Sequence, residues 1–253
     1  MSSVLDRVAA SADHTASYGP APDQVYDVRL PTGSPRDVTV VVVHGGFWRP
    51  ATDRQHTGPQ AEALADHGFH VIVPEYRRAT RGGWQQLSSD LLAALDAVSS
   101  NADLPESVIL VGHSAGGHLV TWLAPQEHLP LAARIRGVVA LAGCVDLHLV
   151  HALGLGDGAA KALMGSEPLQ EPDAWRRADP AMLGTPPMPV VTLHGSRDQH
   201  VPPSVSRSYA AAVPQAQLHV IDGADHFDLI DPQSAAFATV TRTLTSLAGG
   251  PAL

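Results

Sequence analysis

Cysteine is almost missing from this chain, with one residue, Cys144, in 253. A lone thiol excludes an intrachain disulfide and fits a reducing compartment, so a cytoplasmic protein is expected. Basic residues are also few. The 16 Lys and Arg are outnumbered by 25 Asp and Glu, for a formal net charge of -9, and no basic stripe interrupts that balance. A nucleic-acid partner is therefore not expected. No apolar run approaches the ~20 residues of a membrane helix, so no membrane partner is expected either. Met1 to Asp27 lacks the basic and then apolar segments of a secretory signal. Hydrophobic residues are plentiful, at 44 %. That is enough to fill the core of one α/β domain spanning 1–253, with an N-terminal arm at 1–23 and a small lid segment at 143–188.

Short apolar strands alternate with helical patterns along most of the chain. Val38 to Val43 is β-branched throughout and reads as a central strand. Gln24 to Leu30, Val71 to Val73, Val108 to Val111, Val138 to Leu141, Val190 to Leu193 and Gln217 to Ile221 read as further strands. Between them, Ala61, Leu64 and Ala65 share one helical face, and Leu87, Leu91, Leu95 and Val98 another. The closing helix aligns Phe237, Val240, Leu244 and Leu247. The segment 76–81 is a basic loop. The lid holds two short helix candidates, near Ala159–Met164 and Asp173–Ala178. This alternation predicts a mainly parallel sheet covered by helices on both faces, with ligands beyond the carboxyl ends of its strands.

The strand at 108–111 runs into Gly112-His-Ser-Ala-Gly116, and an apolar helical run follows to Ala124 before Pro125. A strand that reverses into a helix this fast forces its middle residue into a strained conformation and leaves room only for glycine two positions either side. This is the G-x-S-x-G nucleophile elbow, which lifts the Ser114 hydroxyl off the sheet edge. A serine needs a neutral imidazole to become a nucleophile, and the imidazole needs a carboxylate to fix its tautomer. Asp198 follows the strand at 190–193 and His226 the strand at 217–221, giving the order Ser, Asp, His. Asp222, Asp225 and Asp228 compete for the acid role, but lie awkwardly close to His226 in sequence. For the developing oxyanion, the expected donors are the backbone N–H groups of Ala115, Gly46 and Phe47, the last two from His44-Gly-Gly-Phe-Trp48 after the Val strand. Trp48 and His113 are the expected substrate-binding side chains, and His113 faces the scaffold or the pocket wall. Cys144 reads as a small buried residue. There is no H-E-x-x-H, and His148-x-x-His151 lacks a third ligand, so neither a metal nor a cofactor is expected.

With these residues assembled, the chain resembles an α/β-hydrolase of the esterase/lipase branch from about residue 25 to its end. His44-Gly-Gly-Phe-Trp48, Gly112-His-Ser-Ala-Gly-Gly-His118 and Asp225-His-Phe-Asp228 are most similar to kynurenine formamidases (arylformamidases). The resemblance implies an α/β-hydrolase fold, Ser114, Asp198 and His226 as the triad, and 44–48 as the oxyanion loop. The lipase-like relatives often carry a third glycine where Phe47 stands. The expected function is a cofactor-free serine hydrolase of a small ester or aryl formamide, working as a monomer or homodimer. Two alternatives stay open: a hydrolase of another acyl substrate, such as a lactone or thioester, and a ligand-binding module that keeps the fold without turnover.

Overall fold

The computed structural model describes residues 4–78, 80–126, 129 and 131–250. The first three residues of the expected arm and Ala79 of the basic loop lie outside them. Eight strands form one sheet: β1 (His14–Ser17), β2 (Val25–Arg29), β3 (Thr39–Val43), β4 (His70–Pro74), β5 (Val108–His113), β6 (Ile135–Leu141), β7 (Val190–Gly195) and β8 (Gln217–Ile221). Their spatial order is β1-β2-β4-β3-β5-β6-β7-β8. β1 and β2 are antiparallel to their neighbours, and every pairing from β4 to β8 is parallel. The helices are α1 (Gly58–Asp66), α2 (Trp84–Ser99), α3 (Ala115–Leu123), α4 (Leu147–Ala152), α5 (Leu155–Met164), α6 (Pro172–Ala178), α7 (Ser204–Ala212) and α8 (Phe237–Leu247). This is the α/β-hydrolase architecture.

The two-residue period of the strands divides the core. Val41 and Val43 of β3 pack with Leu87, Leu91 and Leu95 of α2, and with Leu119 and Leu123 of α3. Val40 and Val42 point the other way, to Ala61 and Leu64 of α1 and Phe237, Val240 and Leu244 of α8. All five residues of β3 are buried, as a strand covered on both faces must be.

Two elements depart from expectation. The arm at 1–23 is not merely a surface arm, because residues 14–17 pair with Val25–Val28 as an edge strand. The segment His14-Thr-Ala-Ser shows no apolar alternation because it has no core face to fill: three of its four residues are exposed. Within 143–188 there are three α-helices, not two. α4 was hidden by its brevity and is fixed by Asp146, whose side chain accepts the Leu149 N–H at its start. α5 begins with Gly156, Asp157 and Gly158 in left-handed conformations, so its regular part starts near Ala159.

The parallel register delivers the site. Val43 lies opposite Gly112, which sets His44 and Gly45 alongside His113 and Ser114. The carboxyl ends of β3, β4, β5, β6, β7 and β8 then form one rim.

Candidate active site

Ser114 sits between β5 and α3 at φ 56°, ψ -116°, a conformation unfavourable for any residue with a Cβ. Its N–H donates to Leu141 O (2.8 Å), and its carbonyl accepts from the N–H groups of Cys144 (3.1 Å) and His118 (3.2 Å). These three bonds pin the elbow to β6 and α3. Gly116 shows why the motif ends in glycine: a Cβ there would stand 2.0 Å from Val43 O, so any side chain would force α3 away from β3. Cys144 is fully buried, as expected of a small core residue. Its thiol lies within hydrogen-bonding reach of the Ser114 hydroxyl, and burial pushes it up to about 12, so it stays an uncharged neighbour of the serine.

Asp198 follows β7 and His226 follows β8. Their side chains meet with His226 Nδ1 2.7 Å from Asp198 Oδ2. The Asp198 carboxylate is fully buried. Burial alone would raise its pKa, but hydrogen bonds from His194 and His226 and the N–H of Val201 outweigh it and hold the carboxyl below the usual range. With Asp198 ionised, His226 Nδ1 carries the proton and donates it to the carboxylate. His226 is shifted down from 6.5, chiefly by burial, with Asp198 opposing part of that shift. Its imidazole is therefore neutral at neutral pH, with a lone pair at Nε2. The competing carboxylates are turn residues: Asp225 accepts the N–H groups of Phe227 and Asp228, Asp228 accepts that of Asp225, and Asp222 accepts from Ser196.

The loop after β3 is shaped by backbone, with Gly46, Phe47 and Trp48 all at positive φ (101°, 49° and 58°). A Cβ on Gly46 would stand 2.3 Å from that of Thr52, so the second glycine is required by space as well as by φ. Among the described residues, no protein acceptor takes the N–H of Gly46, Phe47 or Ala115. The Phe47 ring lies against Gly156. Trp48 (2 % exposed) packs edge-on to His118, and His113 (1 %) is held between His56 and His226. Both rings expected to bind substrate are thus enclosed by protein. His118, one turn beyond Ser114, donates Nε2–H to Ala178 O, and burial takes it down to about 4.

Residues not singled out from the sequence support that loop. Glu75, at the exit of β4, accepts hydrogen bonds from His44 Nε2 (3.0 Å) and from the backbone N–H groups of Arg54 and Tyr76 (both 2.9 Å), and it pairs with Arg78. Burial opposes its charge, yet these bonds bring it down to about 2. Tyr76 stacks on His44 with ring centroids 4.2 Å apart and donates its hydroxyl to His44 O. The available signal was a carboxylate at a strand exit beside the strand that feeds His44; the basic loop that follows concealed it. His148 and His151 are engaged by Asp179 (2.5 Å) and Glu167 (3.0 Å), and no cluster of metal-ligating residues occurs among the described residues.

A serine elbow, a buried Asp–His pair and a glycine loop, gathered at the strand ends of this sheet, define an esterase-like α/β-hydrolase. A family profile described as BD-FAE matches residues 26–213, and the chain belongs to that family. It is 29 % identical over 133 residues to a kynurenine formamidase of Danio rerio, covering 51 % of this chain and 45 % of that one. It is 25 % identical over 231 residues to esterase LipQ of Mycobacterium tuberculosis, covering 82 % and 54 %. The chain thus spans about half the length of these relatives. Esterase B of Lactobacillus rhamnosis shares the fold with a TM-score of 0.76 at 18 % identity, covering 95 % of this chain and 89 % of that one. No helix among the described residues is long and apolar enough to cross a membrane.

Proposed function

We propose that this protein is a serine hydrolase that cleaves a small carboxylic ester or an aryl formamide through an acyl-enzyme on Ser114. The observation that carries this reading is the 2.7 Å bond between Asp198 and His226, at the rim where the strained Ser114 elbow ends. Ser114 Oγ attacks the substrate carbonyl while His226 Nε2 takes its proton, and Asp198 stabilises the imidazolium without becoming protonated. The N–H groups of Gly46, Phe47 and Ala115 receive the oxyanion. His226 returns the proton to the departing alcohol or amine, and a water activated by the same imidazole releases the acid. Phe47, clamped against Gly156, favours a small acyl group, and a formyl group needs almost no acyl space. The names of the formamidase and esterase relatives agree with both substrate classes.

The first test is pre-steady-state release of p-nitrophenol from p-nitrophenyl acetate. A stoichiometric burst is expected from the wild type, and Ser114→Ala should lose it, with turnover down by on the order of 10⁴-fold or more. No burst and no turnover in the wild type would favour a ligand-binding module. A panel of N-formylkynurenine, short and long p-nitrophenyl esters, a lactone and a thioester then ranks substrates by kcat/KM. Formamide turnover far below acetyl-ester turnover would remove the formamidase reading and leave the esterase one.

A further inference from the structure

Two histidines beside the proposed triad, His113 buried and His56 half-buried, have no part in the mechanism above. His113, the residue before Ser114, places its Nε2 3.0 Å from the backbone carbonyl of His226. A carbonyl only accepts, so Nε2 carries the proton and His113 Nδ1 keeps a lone pair. That lone pair faces His56 Nε2 at 3.2 Å, so His56 is the donor there. The bonds fix one tautomer at each ring and run in one direction, from His56 to His113 to the carbonyl of residue 226. The rings are also packed together. His56 stacks on His113 (5.5 Å, 22° between planes), His113 lies 4.6 Å from His226, and Phe227 closes against all three. His56 comes from the segment after the glycine loop and His113 from β5, so the contact ties three strand exits together.

We propose that His113 and His56 form a two-imidazole strut that fixes the backbone of His226, making both of them positioning residues for the base. This rests on the reading of Ser114, Asp198 and His226 as the triad. Asp198 controls only the Nδ1 edge of the His226 ring; the strut controls where the Cα of that residue sits, and hence where Nε2 points. The strut has to be neutral, because a cation stacked on His226 would oppose formation of its imidazolium. Burial, reinforced by the neighbouring histidines, holds His113 well below 6.5 and brings His56 down to about 4. The ionisable groups facing this cluster are Asp198, His194 and His200 around His226, and Asp53 and His44 around His56.

The test combines steady-state kinetics with ¹⁵N NMR of the histidine rings. In His113→Phe, which keeps a ring but no donor, kcat should fall about 10- to 100-fold with KM little changed, the size expected when a reacting group is slightly misplaced. His113→Gln, which can place an N–H near Nε2, should recover to within about threefold of wild type. His56→Leu frees His113 to exchange tautomers, and about a three- to tenfold loss is expected, reversed by His56→Gln. In the wild type, ¹⁵N shifts should show His113 protonated at Nε2 and untitrated between about pH 5 and 8. A His113→Phe enzyme that melts like wild type and keeps kcat within about twofold would overturn the inference, as would a wild-type His113 protonated at Nδ1. If His113→Phe does not fold, the wild-type tautomer and His113→Gln decide. Labelling with a fluorophosphonate separates this inference from the triad reading. No adduct on wild-type Ser114 removes the triad, whereas a normal adduct with unaffected His113 variants removes only the strut.

Discussion

On the side of the rim fed by β7 and β8, position is held by side chains. Asp198 grips His226 directly, and His194 and the N–H of Val201 hold Asp198. On the side fed by β3 and β4, the groups proposed to receive the oxyanion are backbone amides, in a loop shaped by three consecutive residues at positive φ. Their support comes from behind: His44 on Glu75, Glu75 on Arg78, and Tyr76 against both the ring and the carbonyl of His44. A side chain can be replaced one function at a time, but a strained loop is kept only while its surroundings over-determine it. Damage to the first side should be chemical and local. On the second it should cost both rate and stability.

The largest effect expected short of removing the nucleophile is on the first side. Asp198→Asn keeps the shape but permits the wrong His226 tautomer, and kcat should fall about 10³- to 10⁴-fold. The pH profile sharpens this. Burial lowers His226 below 6.5, and the base works only when neutral, so the acid limb of kcat/KM should lie below pH 6.5 in the wild type. Asp198 opposes that lowering, so residual activity in the Asn variant should persist to still lower pH. A limb that moves upward would contradict the pairing.

Gly46→Ala tests the second side. The new Cβ would lie 2.3 Å from that of Thr52, at a φ of 101°. The loop must shift, and a loss of about 10²- to 10³-fold in kcat is expected from misplaced oxyanion donors. Combining it with Thr52→Gly removes the opposing Cβ but not the backbone conformation, so rescue should be partial. Full rescue would mean that space alone, and not φ, dictates the glycine.

The two sides were unequally legible in the sequence. The strand-exit positions of Ser114, Asp198 and His226 could be read because each follows an apolar strand, and the order Ser, Asp, His guided the choice of the proposed triad. Most strands and helices could be read because both core faces repeat apolar residues at periods of two or near 3.6. Glu75 could not, because its function depends on the register that sets β4 beside β3, and a lone Glu before two arginines looks like a solvated loop. His113 and His56 are 57 positions apart, and nothing local announces their contact. The edge strand His14–Ser17 was invisible for the opposite reason, since it lacks the apolar face by which strands are recognised.

Glu75→Gln gives a smaller kinetic effect than Asp198→Asn or Gly46→Ala and tests the comparison most directly. The amide keeps one acceptor for His44 but leaves Arg78 without its buried counter-charge. Stability should drop by about 1.5–3 kcal/mol in urea unfolding, with kcat down only about tenfold. The pH dependence gives this prediction its sign. Glu75 is shifted from 4.5 to about 2 on folding. The unfolded chain therefore takes up its proton first as pH falls. The stabilisation is complete above 4.5 and drains away between there and 2. Wild-type stability should therefore slope downward across that window, and the Gln variant, with nothing to titrate at 75, should show a shallower slope from the remaining carboxylates such as Asp198. Equal slopes in the two proteins would mean that the ion pair behind the glycine loop does not hold it in place.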